Sequence, residues 1–129
     1  MGIFMRSLEL ANMSCLGEKA LELSIAVVSE KEMKTLNKQY RKKDSATDVL
    51  SFCEYQSMDE LCDNNEKQVF IGELILCPAY IQRNAEQDGE TLEYAITYIT
   101  AHGIMHLLGY DHGKKMFSLQ HMVAEQLAL

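Results

Sequence analysis

The chain has no apolar stretch near the ~18 residues that a bilayer-spanning helix needs, although 47% of its 129 residues are hydrophobic. That apolar share argues against disorder and suffices for one core, so a single domain over 1–129 is expected. Met1-Gly2-Ile3-Phe4-Met5-Arg6 lacks the apolar core of a secretory signal, and Arg6 stands where a myristoylation signal needs Ser or Thr. A cytoplasmic location is the expectation. C-x-x-C pairs are also missing. Cys15, Cys53, Cys62 and Cys77 are scattered, with Cys53 and Cys77 in apparent strands. They read as buried free thiols of a reducing compartment, rather than as disulfides or a second metal site. Repeats, low-complexity tracts and linkers are absent.

Basic residues are few, 12 against 19 acids, for a formal charge of −7. That balance disfavours a general nucleic-acid binder, but the distribution matters more than the sum. Lys34, Lys38, Arg41, Lys42 and Lys43 fall in ten residues that contain no acid. A cationic stripe on an acidic body can bind a polyanion at one place and repel it elsewhere. The same run would serve equally as a solvated helix end, where lysines favour the helix dipole, so charge leaves both readings open.

Periodicity supplies the elements. Residues 3–15 have helical spacing, with Gly17 as a stop. Leu21, Leu23, Ile25 and Val27 alternate while Ala26 and Val28 fill the other face, which predicts a strand covered on both sides. Ser29-Glu30-Lys31-Glu32 is a capping box, with Val28 and Met33 placed for a hydrophobic staple. The helix it opens is expected to turn Met33, Leu36 and Tyr40 inward. Strands are predicted over Thr47–Tyr55 and Val69–Leu76, separated by an acidic loop over Gln56–Gln68. The single proline, Pro78, suits a first helical position and Gly89 a stop. Thr91 caps a long helix through Leu108 that is apolar nearly all round and should cross the domain centre. A last helix over 114–127 carries Met116, Leu119, Val123 and Leu127 inward, with His121 on its surface.

Three of the four histidines lie in eleven residues, His102-Gly103-Ile104-Met105-His106-Leu107-Leu108-Gly109-Tyr110-Asp111-His112. His102 and His106 are one helical turn apart, so both imidazoles leave the same face. Gly109 lets the chain leave the helix through a left-handed residue, and the turn can then bring His112 back. Three converging nitrogens hold a catalytic zinc-type ion and leave one position for water. The bland alternative, a helix that happens to carry core histidines, does not account for the glycine.

Such a site points to hydrolysis. In zinc peptidases the residue after the first histidine is a glutamate that acts as general base; here it is Gly103. On helix spacing alone, a glutamate at 103 would sit beside the ion. Phosphodiester cleavage instead asks for a metal and a guanidinium near the non-bridging oxygens, and Arg41 is the candidate if the basic stripe folds over the cleft.

Two blocks of sequence then carry a family likeness. Leu36-Asn37-Lys38-Gln39-Tyr40-Arg41-Lys42-Lys43-Asp44-Ser45-Ala46-Thr47-Asp48-Val49-Leu50-Ser51-Phe52 is similar to L-N-x-x-Y-R-x-K-D-x-P-T-[DN]-V-L-S-F. His102–His112 is similar to H-G-x-L-H-L-x-G-Y-D-H. The chain resembles the YbeY family of single-metal endoribonucleases, the 16S rRNA maturation factors of bacteria. Weaker similarity through Gly72-Glu73-Leu74 extends the likeness over most of residues 20–127.

The resemblance implies an α+β fold, a small mixed β-sheet of three or four strands flanked by helices and related to zincins. It matches His102, His106 and His112 to the metal ligands and Arg41 to the functional arginine. It implies one divalent ion, zinc first, and RNA as partner: an rRNA precursor, with a ribosomal subunit and no membrane. Lys42 and Lys43 are expected to hold flanking phosphates. Asp111 would support a ligand imidazole or cap the turn. Departures from the family pattern are Ala46 and Cys53 where proline is common, Glu73 for an aspartate, and Gly113-Lys114-Lys115 for an acidic run. Two rival readings stand beside the nuclease. One is a metzincin-like metallopeptidase, which Gly103 disfavours. The other is a non-catalytic ribosome-assembly factor with a structural metal, which three rather than four ligands disfavour.

Overall fold

The computed structural model describes residues 2–4, 7, 14–16, 19–110 and 114–127. Its elements are a 3₁₀ turn Ser14–Leu16, strand β1 Ala20–Val27, helix α1 Glu30–Arg41, strand β2 Val49–Cys53, helix α2 Met58–Cys62, strand β3 Gln68–Leu76, and helices α3 Pro78–Asp88, α4 Leu92–Leu107 and α5 Lys114–Leu127. Three strands form one mixed sheet in the order β1-β3-β2. β1 runs parallel to β3 and β2 antiparallel to it. The expected α+β architecture is present, with three strands among the described residues.

The register of β1 against β3 shifts by one residue between Glu22 and Leu23, whose partners are Phe70 and Gly72. This bulge explains the burial of β3. Val69 before it, Ile71 within it and Leu74 after it all join the main core, although Val69 and Leu74 differ in parity. An inserted residue flips the two-residue alternation, so one strand keeps its apolar side chains under α4 and α5. Ile104, Met105, Leu107 and Leu108 complete that core with Met116 and Leu119 of α5. On the opposite face, Met33 of α1 meets Leu50, Ile75 and Cys77. α3 packs on α4 through Ile81, Ala85 and Ala95.

The capping box forms as predicted: the Glu32 amide donates to Ser29 Oγ at 3.2 Å, and the Ser29 amide to Glu32 Oε1 at 3.3 Å. Val28 packs against the cluster of Met33, which is the expected staple. Pro78 and Gly89 bound α3 as expected, and Thr91 caps α4.

Several expectations change. β1 is covered on both faces as expected, with Leu21, Leu23 and Ile25 on one core and Ala26 on the other, but Val27, at its end, is 66% exposed. Tyr40 is 56% exposed, and Asn37 is the residue that α1 buries beside Met33. The segment predicted as a loop contains α2, opened by Ser57, whose Oγ accepts from the Glu60 amide at 3.1 Å. This S-x-x-E cap was legible in the sequence. Because α2 turns Cys62 toward the 3₁₀ turn, Cys15 and Cys62 form a disulfide with a Cα–Cα distance of 5.3 Å. They are therefore not free thiols. Cys53 ends β2 and Cys77 follows β3; both are free, but only Cys77 is buried as expected, and Cys53, at the end of an edge strand, is exposed. Finally, of the predicted helix over 3–15, residues 3, 4 and 7 are helical and 14–15 lie in the 3₁₀ turn; 5, 6 and 8–13 lie outside the described residues. So does the side chain of Leu127.

Candidate active site

α4 is buried nearly all round, and its last two turns present His102 and His106. Their rings lie edge to face with centroids 4.6 Å apart, as side chains four residues apart on one helix face should. The helix ends as Gly109 predicts. Gly109 has φ +97°; its amide donates to the His106 carbonyl and that of Tyr110 to the Met105 carbonyl, each at 3.0 Å. These two bonds are the Schellman pair. The turn also backs onto another element, since a Cβ at 109 would lie 2.6 Å from the Met58 amide nitrogen at the start of α2.

The motif is described as far as Tyr110; Asp111 and His112 lie outside the described residues. Among the described residues no group of three or more His, Cys, Asp or Glu is placed to hold a metal. The two imidazoles nevertheless fit a borderline divalent ion as donors. They share a face, line a cleft, and precede the left-handed turn at Gly109.

Arg41 reaches that same cleft. A cavity of about 560 Å³ is lined by Tyr40, Arg41, Asp48, the strand Val49-Leu50-Ser51-Phe52, His102 and His106. The four successive strand residues explain how this is possible. Neighbouring residues of a strand point to opposite faces, so a cleft lined by all four must cross the strand's edge. β2 is an edge strand. α1 lies on one face of the sheet, with Met33, and α4 on the other; the open edge of β2 is where the end of one meets the end of the other. Arg41 is exposed as the last residue of α1, and no ion pair among the described residues claims its guanidinium.

The turn after Arg41 is fixed from within. Lys42 caps α1 in the left-handed region at φ 60°, its amide bonded to the Asn37 carbonyl. Buried Asn37 donates through Nδ2 to the Ser45 carbonyl at 2.8 Å. Lys42 and Lys43 are exposed and follow the cleft rather than lining it. Lys34 is 4.0 Å from Asp44, so one charge of the stripe is partly offset at its surface. His121 lies on the surface of α5 as expected, within 3.1 Å of the Tyr94 hydroxyl and 3.2 Å of Glu125.

Five lining residues, Asp48, Val49, Leu50, Ser51 and Phe52, were not singled out from the sequence. Asp48 closes the start of β2: its Oδ1 accepts from the Val49 amide at 2.7 Å, and its carbonyl from the Cys77 amide at 2.9 Å. Ser51 and Phe52 line the cleft from opposite faces of the strand. Their only signal was adjacency to Arg41 within one sequence block. Cys53, next along, donates its thiol to the His106 carbonyl at 3.4 Å, and partial desolvation pushes that thiol up.

The position that separates peptidase from nuclease is also changed by the structure. Gly103 is buried, and a Cβ there would lie 2.6 Å from Leu74 Cδ2. Leu74 is itself completely buried. A side chain at 103 therefore starts into the core between α4 and β3, not toward the cleft, which corrects the expectation from helix spacing. Glycine lets helix and sheet approach closely here, since any Cβ would have to shift the buried Leu74 side chain.

The comparisons with known proteins agree with this geometry. The family described as Endoribonuclease YbeY matches residues 2–128. A curated Endoribonuclease YbeY of Neisseria meningitidis is 38% identical over 96 residues, covering 74% of this chain and 55% of the relative. The one of Macrococcus caseolyticus is 36% identical, covering 74% of this chain and 61% of the relative. The chain thus spans somewhat over half the length of these relatives. That of Lactobacillus helveticus is 35% identical, covering 97% of this chain and 78% of the relative. The solution structure of TM1509 from Thermotoga maritima superposes with a TM-score of 0.63 at 31% identity, over 96% of this chain and 77% of that one. A family match across nearly all of the sequence, a shared fold, and the two sequence blocks meeting at one cleft lead to one conclusion: the chain belongs to the YbeY family.

Proposed function

We propose that this chain is a metal-dependent endoribonuclease that cleaves single-stranded RNA, acting in the cytoplasm on an rRNA precursor in 16S 3′-end maturation and ribosome biogenesis. Residues 1–129 act as one hydrolase domain. The observation that carries the reading is the shared cleft: Arg41 and the His102–His106 pair line one cavity, though α1 and α4 lie on opposite faces of the sheet.

His102 and His106, with His112, would hold one divalent ion, zinc first. When bound, that ion supplies Lewis acidity beside the scissile phosphate. Arg41 does the rest of the electrostatic work. A guanidinium is always protonated and presents paired donors that fit two phosphoryl oxygens, so it stabilises charge that grows on the non-bridging oxygens. Its exposure at a helix end lets it meet a strand arriving from solvent. Lys42 and Lys43 would hold phosphates on either side of the reacting one. The peptidase alternative loses further support, because no carboxylate at 103 could face the substrate without displacing Leu74.

Elemental analysis and an RNA-cleavage assay on the same preparations test the reading. Wild type should carry one divalent ion per chain and cut single-stranded RNA. His102→Ala and His106→Ala should lose both metal and cleavage. Arg41→Glu should keep metal and fold while cleavage disappears. Full metal occupancy in both histidine variants would overturn the ligand assignment, and wild-type turnover in Arg41→Glu would remove its catalytic role.

A further inference from the structure

Four large apolar or aromatic side chains stand out as exposed in the described structure: Val27, Tyr40, Phe70 and Met122. Tyr40 alone among them lines the cleft with Arg41 and the histidines. Its ring meets that of Phe52 at a centroid distance of 5.1 Å and an interplanar angle of 77°. Phe52 is half-buried against the Met33–Leu50–Ile75 cluster. One ring is thus anchored in the core and steadies the other, while 56% of Tyr40 stays open to solvent. An edge-to-face pair of this kind fixes ring orientation. Leaving so much aromatic surface wet beside the functional arginine costs stability that a buried tyrosine would not.

We propose that Tyr40, braced by Phe52, is a stacking platform for one nucleobase of the RNA strand, next to the phosphate held by Arg41. This rests on the nuclease reading and adds to it a substrate-positioning residue. Tyr40 and Arg41 are consecutive, so a base on the ring and a phosphate on the guanidinium belong to one or two adjoining nucleotides. Stacking accepts any base, because each has a π-face. It also gives a physical reason for acting on single strands: bases in a duplex are already stacked on each other and cannot lie on a side chain without being splayed out.

The test compares two fluorescent 2′-O-methyl strands, an oligouridylate and the same backbone with abasic riboses, by anisotropy. Alongside them runs cleavage of the matching unmodified RNAs. Wild type should bind the base-bearing strand roughly five- to a hundredfold more tightly than the abasic one. Tyr40→Leu, which still covers Phe52, should bring that ratio close to one by weakening only the base-bearing strand. Tyr40→Phe should keep the base dependence. Phe52→Leu should reduce it through loss of bracing. A Tyr40→Leu variant with the wild-type ratio, or a wild-type ratio near one, overturns the platform. Wild type that keeps the ratio but cuts no RNA overturns the nuclease reading and leaves the platform standing.

Discussion

Replacing Gly109 by alanine tests whether the turn that ends α4 is as tight as it looks, and Gly89 provides the control. Both glycines follow a helix and both have positive φ, +97° and +71°. They differ in surroundings. A Cβ at 89 has nothing within 4 Å, whereas one at 109 would lie 2.6, 2.8 and 2.9 Å from the Met58 nitrogen, Cα and Cβ. Gly89→Ala should therefore cost only the conformational penalty of an L-residue in that region, about 1–2 kcal/mol. Gly109→Ala pays that and must also push backbone at the start of α2, where a flexible side chain cannot give way. Overpacking of that kind costs about 1–3 kcal/mol, for a total of about 2–5 kcal/mol. With a urea slope of about 2 kcal/mol per M, the midpoint should fall by about 1–2.5 M for Gly109→Ala and by less than about 1 M for Gly89→Ala. Urea melts followed by far-UV circular dichroism read both. Equal shifts would mean that the contact with Met58 carries no weight. An unchanged midpoint for Gly109→Ala would refute the left-handed turn itself.

Other consequences are as direct. Gly103→Glu should not create a peptidase; a glutamate whose Cβ would lie 2.6 Å from buried Leu74 should lower stability by several kcal/mol, read as loss of the folded state in mild urea. Proteolysis of casein by a stably folded Gly103→Glu protein would contradict it. RNA affinity should fall with salt, and neutralising Lys42 and Lys43 should flatten the log–log slope by up to about 1.4, at about 0.7 per phosphate contact on single strands; an unchanged slope would put the RNA path elsewhere. Partial desolvation raises the exposed Cys53 thiol in the folded chain, so its alkylation by iodoacetamide should reach half-maximal rate at higher pH than a free thiol, as peptide mass spectrometry can follow. By linkage, this group's contribution to stability is complete below the unfolded thiol's pKa and is lost as pH rises through the folded one.

The elements were legible where local physics decides them. The capping box at Ser29, Pro78 and Gly89 around α3, Thr91 ahead of α4 and Gly109 behind it each act within a few residues, and each is found where the sequence places it. The S-x-x-E of Ser57–Glu60 had the same meaning but was lost in a polar, acidic stretch. Without α2, Cys62 had no reason to approach Cys15. Tyr40 misled because its spacing from Met33 and Leu36 is helical, and spacing says which side chains share a face without saying where that face runs out of protein to cover it.

The sequence by itself determined the chemistry: two imidazoles on one helix face, a glycine that breaks the helix after them, and an arginine closing a basic helix end. These follow from a 3.6-residue repeat and from φ preferences, which are local. Only the tertiary structure decided that the two blocks meet. Strand order β1-β3-β2 places β2 at an edge, and an open edge is where helices on opposite faces of a sheet can share a cleft. It decided likewise that Gly103 faces Leu74. Both depend on pairing between residues distant in sequence, where no local preference reaches and only the packing of one core selects the partner.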